Sequence, residues 1–167
     1  MNNWLSFHIS FPINNAVRLH ALRVLKNCGA RFVRHGVYII PDRQTCCATL
    51  DALAAEMQEM GGTSVVLRVE EPEGANFTAF FDCSQDYAEL VSEVLKAQVA
   101  LSTTTVQDSR QQARKLRKTF SDLSVIDFFP GEAQRRADTL LLELELACAH
   151  TRSPDEPQAI KERKAPL

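Results

Sequence analysis

Ala30-Arg31-Phe32-Val33-Arg34-His35-Gly36-Val37-Tyr38-Ile39-Ile40 is the stretch on which the fold turns. Two β-rich runs flank His35-Gly36, and so short a glycine turn leaves room only for a hairpin. Read as one long bent strand, the stretch keeps the same topology and loses the tight turn. Pro41-Asp42 closes it.

On the N-terminal side, Trp4–Phe11 alternates imperfectly. Leu5, Phe7, Ile9 and Phe11 fall on one face, Trp4, Ser6, His8 and Ser10 on the other, and Pro12 ends the strand. Asn14 or Asn15 caps a helix in which Val17, Leu19, Leu22, Val24, Leu25 and Cys28 recur near a 3.6-residue period, and Gly29 stops it. On the C-terminal side, Gln44–Met60 places Leu50, Leu53, Ala54, Met57 and Met60 on one stripe. Gly61-Gly62 then precedes a strand over Ser64–Val69. The order β-α-β-β-α-β predicts an α+β fold, a ferredoxin-like split βαβ sandwich with both helices on one face of an antiparallel sheet.

Beyond a polar connector, Asn76–Phe81 is read as one more strand, and three helices are expected over Asp82–Leu101, Ser109–Leu123 and Glu132–His150. The segment 151–167, with three prolines and almost no large apolar residue, reads as a disordered tail. The division is therefore 1–81 for the sandwich, 82–150 for a helical extension packed on it, and 151–167 for the tail.

At 167 residues, with 45% hydrophobic and 24% charged residues, the chain has the composition of a soluble domain and is too short for a large multidomain enzyme. No run approaches the roughly 20 apolar residues of a membrane span, and Met1-Asn2-Asn3-Trp4 lacks the features of a secretory leader, so a cytoplasmic location is expected. Five cysteines in no metal or disulfide spacing argue for reduced thiols, no metal and no cofactor. The four histidines fall in four different elements, and no phosphate loop, nucleophile elbow or carboxylate pair appears, so an enzyme is unsupported.

Charge is segregated. Residues 1–69 carry seven Lys/Arg against four Asp/Glu, whereas residues 70–102 carry one against seven. The densest basic cluster is Arg110, Arg114, Lys115, Arg117 and Lys118. On a helix, Arg110, Arg114, Arg117 and Lys118 form one stripe about 10–12 Å long, enough for two or three phosphates of duplex DNA. The stripe is expected to lack acidic i+4 partners that would neutralise it, while Ala113, Leu116, Phe120 and Leu123 bury the opposite side. A second basic group, Arg18, Arg23 and Lys26 with Arg31 and Arg34, is more scattered, because Arg31 and Arg34 have opposite strand parity. Cys46-Cys47 sits near a helix start, where the macrodipole lowers a thiol pKa, which makes the pair a candidate effector or redox site. Asp127-Phe128-Phe129 reads as a packed corner.

Trp4–Phe11, the helix ending Arg23-x-x-Lys26-x-x-Gly29-Ala30, Gly36-Val37-Tyr38-Ile39-Ile40-Pro41-Asp42, Leu53–Gly62 and Leu116–Phe129 together resemble the N-terminal domain of the ChrB family of chromate-resistance regulators. The likeness covers about residues 4–147. It implies a transcriptional regulator of chromate resistance whose DNA contacts lie in this half, with chromate as effector or a separate C-terminal regulatory domain as partner. The βαββαβ part is also similar to phenylacetate-pathway repressors and to small CRISPR-associated nucleases. The nucleases, however, end their first strand on an acidic residue where this chain has Ser10-Phe11-Pro12. A homodimer is expected, with the edge Val65–Val69 covered by Asn76–Phe81 or by a second protomer. Rival readings are a non-catalytic interaction or dimerisation scaffold and a thiol-based chromate-handling protein.

Overall fold

The computed structural model describes residues 3–11 and 14–150; Pro12 and the segment 151–167 lie outside them. The elements are β1 (Asn3–Ser10), α1 (Asn15–Asn27), β2 (Arg31–Arg34), β3 (Val37–Pro41), α2 (Gln44–Glu59) and β4 (Thr63–Glu70), then α3 (Ser84–Ala100), α4 (Val106–Ile126) and α5 (Glu132–His150). The four strands form one antiparallel sheet in the order β2-β3-β1-β4.

The hairpin reading holds. Gly36 takes φ +74°, and a Cβ there would stand 2.2 Å from the Ile9 carbonyl oxygen, so only glycine lets β1 lie this close to the turn. Ile9 N–H donates to the Gly36 carbonyl at 2.8 Å. A bulge between Phe32 and Arg34 shifts the register, setting Arg31 opposite Ile39 and Arg34 opposite Val37. Ile39 and Val37 are two apart on β3, so the bulge brings Arg31 and Arg34 to one face despite their sequence parity.

Both α1 and α2 cover the Leu5–Phe7–Ile9 face. Ser64, paired with Ile9, donates from Oγ to the Ala54 carbonyl on α2, and His20 on α1 meets Glu56 on α2 at 2.9 Å. The buried stripes are close to expectation, with Cys46 joining Leu50, Leu53 and Met57, and with Met60 and Leu19 turned outward.

Asn76–Phe81 is not a strand. Residues Phe77–Phe81 form a 3-10 helix, started by Asn76 Oδ1 accepting from Ala79 N–H, because Phe77 and Phe81 are drawn onto Trp4 on the second face of the sheet. Phe81 stacks on Trp4 at 5.4 Å between ring centroids. Helix α4 is also longer than expected at both ends. Thr105 caps it, accepting from Asp108 N–H and donating to the Asp108 carboxylate at 2.6 Å, a reciprocal cap that lengthens the first turn.

Apolar burial forms two clusters. One lies between the sheet and α1/α2 and extends to Phe81 and Phe128; the other joins α3, α4 and α5 through Tyr87, Leu90, Val94, Leu116, Leu141 and Leu144. No described helix is long and apolar enough to cross a membrane.

Candidate nucleic-acid interface

Helix α4 is amphipathic: Ala113 and Leu116 are buried, and Arg110, Arg114, Lys115 and Lys118 are exposed. The structure divides this cationic row. Arg117 turns to α5, where Nε and Nη2 donate to the two carboxylate oxygens of Glu145 at 2.8 and 2.7 Å and Nη1 donates to Asp138 at 2.7 Å. Hydrogen bonding to Glu145, then to Asp138, pushes its already high pKa further up against the cost of burial. Lys118 meets Asp122 at 2.6 Å one turn on. The expected absence of acidic i+4 partners is thus corrected at Lys118, and at Arg117 the carboxylates come from α5 instead, so the lower half of the row is neutralised.

The upper half stays charged. Arg110 donates from Nε to the neutral Cys148 carbonyl at 3.4 Å, which anchors the side chain without cancelling its charge. Arg114 and Lys115 have no ion-pair partner among the described residues. These three cations span about 7.5 Å of helix axis.

The α1 cations do not join them. Arg18 lies 5.7 Å over the Phe11 ring, and Arg23 is exposed without a carboxylate partner among the described residues. Lys26 stands at a groove of about 990 Å³ between α1, α3 and α4, rimmed by Asp86, Glu89, Glu93 and Asp122. Asp86, Glu89 and Glu93 of the acidic segment seen in the sequence thus share this groove with Lys26 and with the lower half of α4. Arg31 is turned inward, its Nη2 3.6 Å from Cys83 Sγ and its guanidinium 5.9 Å over Phe81.

Cys46 and Cys47 do not converge on a ligand. Cys46 is buried in the core, whereas Cys47 points to Asp51 Oδ2 at 3.5 Å. Burial pushes both thiols up, and for Cys47 the Asp51 carboxylate adds to the rise. The expected lowering is corrected: both thiols lie above the ordinary value, and loss of solvent is the largest cause at each.

The α4–α5 corner was legible only as packing, and it does more. Asp127 is buried and accepts from Phe129 N–H, while Arg43 reaches across from the start of α2 to donate to the Phe128 carbonyl at 2.8 Å with its guanidinium 5.0 Å from the ring. This corner fixes the direction in which α4 presents its exposed face relative to the sheet.

A family model described as "Protein ChrB, N-terminal" matches residues 18–152. Over 161 residues the chain is 29% identical to "Protein ChrB" of Cupriavidus metallidurans, covering 94% of this chain and 50% of that protein. The chain thus spans about half the length of this curated relative.

Proposed function

From the premise that the chain belongs to the family of ChrB N-terminal domains, we propose that it is a non-catalytic, DNA-binding regulatory module of chromate resistance, working in the cytoplasm as a dimer. The element order, the antiparallel strand order β2-β3-β1-β4 and the two helices on one face support a ferredoxin-like assignment for residues 3–70. One observation carries the DNA reading: Arg110, Arg114 and Lys115 remain uncancelled on the solvent face of a helix whose other side is anchored in a core. Arg23 and Arg18 are secondary candidates, and Lys26 is disfavoured by the acids around it.

The test is a salt series on one duplex. Each phosphate contact contributes about 0.9 to the log–log slope of affinity against salt, so Arg114→Ala/Lys115→Ala should flatten it by roughly 1.8 and weaken binding to all sequences alike. Coincident slopes for the wild type and the double variant, or no binding at low salt, would sink the reading in favour of an interaction scaffold.

A further inference from the structure

The sheet has two outer edges, and they are built differently. β2 is four residues long, bulged at Val33 and bordered by Arg31 and Arg34, so it is short, irregular and charged, as edges that resist pairing are. β4 has eight residues, and its ladder with β1 runs through eight pairs without a shift. It contains no proline, glycine or lysine. Its one cation, Arg68, is held by Asp42 at 3.1 Å. Among the described residues the sheet ends at β4, and residues 77–81, which could have flanked it as a strand, form a turn over Trp4 instead. Alternate backbone N–H and C=O groups along this strand therefore point outward, away from β1.

The side chains repeat the asymmetry. Directly paired residues share a face, so Val65, Leu67 and Val69 lie on the face of His8, Ser6 and Trp4. Val69 is half-buried at the end covered by Phe77, whereas Val65 and Leu67 are 46% and 45% exposed. One end of this face is sheltered and the other is open.

We propose that β4 is the joint between two copies of this chain, paired antiparallel about a twofold axis perpendicular to the sheet. Such an axis keeps the faces matched, because residues opposite each other in an antiparallel pair point to the same side. Centred on Leu67, it sets Leu67 against its own counterpart, Val65 against Val69 of the second copy, Arg68 against Val66, and Glu70 against Ser64, so no like charges lie directly opposite. The sheltered end of each copy then stands beside the open end of the other. The Phe77–Phe80 shoulder, with Phe80 itself 45% exposed, flanks the uncovered Val65. The two four-stranded sheets become one of eight strands with only the guarded β2 edges outside. The proposal deepens the dimer named above and does not depend on the phosphate contacts.

Sedimentation equilibrium on the full chain tests it, comparing the wild type with Val65→Lys/Leu67→Lys and using the far-UV spectrum to check folding. Expected are a wild-type dimer at micromolar concentration and a folded monomeric variant. A Leu67→Cys variant gives a second readout. Opposed residues across an antiparallel pair have Cα atoms about 4.5–5.5 Å apart, within disulfide reach, so mild oxidation should link residue 67 to residue 67 as read by mass spectrometry. A folded double-lysine variant that remains dimeric overturns the joint while leaving the dimer standing; a monomeric wild type overturns both. Should the double-lysine variant misfold, a dimeric Leu67→Cys protein without the 67–67 link overturns the joint.

Discussion

At Arg117 a structural and a DNA-contact role give opposite results. Arg117→Ala removes three charge-assisted hydrogen bonds of 2.7–2.8 Å and leaves Glu145, 33% exposed at its side chain, without its partner. The Asp138 share is small, because that carboxylate is 57% exposed and such pairs contribute under about 1 kcal/mol. The paired bonds to Glu145 contribute more, about 1–2 kcal/mol after screening by the solvent that reaches both groups. The whole loss is then about 2 kcal/mol, a fall of about 4–8 °C in Tm for a chain of this size. Urea unfolding of the wild type, Arg117→Ala, Glu145→Gln and the double variant isolates the pair, with an expected coupling of about 1–2 kcal/mol. The same Arg117→Ala protein should keep the wild-type salt slope on DNA. A coupling under roughly 0.5 kcal/mol, together with a slope flattened by about 0.9, would refute the reasoning and make Arg117 a phosphate contact.

Two further outcomes follow from the packing. Gly36→Ala should cost about 2–4 kcal/mol, since it combines a positive φ with a backbone clash at Ile9, whereas Gly61→Asn, at φ +80° with nothing within 4 Å, should be nearly neutral; urea midpoints compare them. Tyr87 is pushed up from 10.0 to about 12, chiefly by burial. Because its folded pKa lies above the unfolded one, the stabilisation is complete below pH 10 and fades as pH rises towards 12. Phenolate absorbance should show its high step lost in Tyr87→Phe, and a Tyr87 that ionises at the ordinary phenol value would contradict the burial account.

The sheet half was legible because its signals are local. A glycine that must turn, a period that switches from 2 to 3.6 and caps at Asn14 and Gly29 each act within a few residues. What escaped is of two kinds. Lys118–Asp122 and Thr105–Asp108 are local, a four-residue ion pair and a three-residue cap, and their spacing alone makes them legible. The partners of Arg117 were not readable, because Asp138 and Glu145 stand 21 and 28 residues away and meet it only when α5 packs on α4. Phe77–Phe81 has β-rich composition, yet attraction to Trp4 overrides that preference. Of the candidate site, the helix and its exposed cations were visible in the sequence, and the division of those cations into cancelled and free was not.

Trp4 contacts Phe129 at 6.1 Å between ring centroids, so strand β1 completes its aromatic shelter with a residue near the far end of the described chain. Closing so long a loop delays folding, because chain entropy is lost before the contact is gained. During synthesis at about 5–20 residues per second, the indole waits several seconds or more for its last neighbour to emerge. As the single tryptophan of the chain, it makes intrinsic fluorescence sensitive to the docking of the α4–α5 corner as a step after the sheet and the Phe77–Phe81 turn have enclosed its other sides.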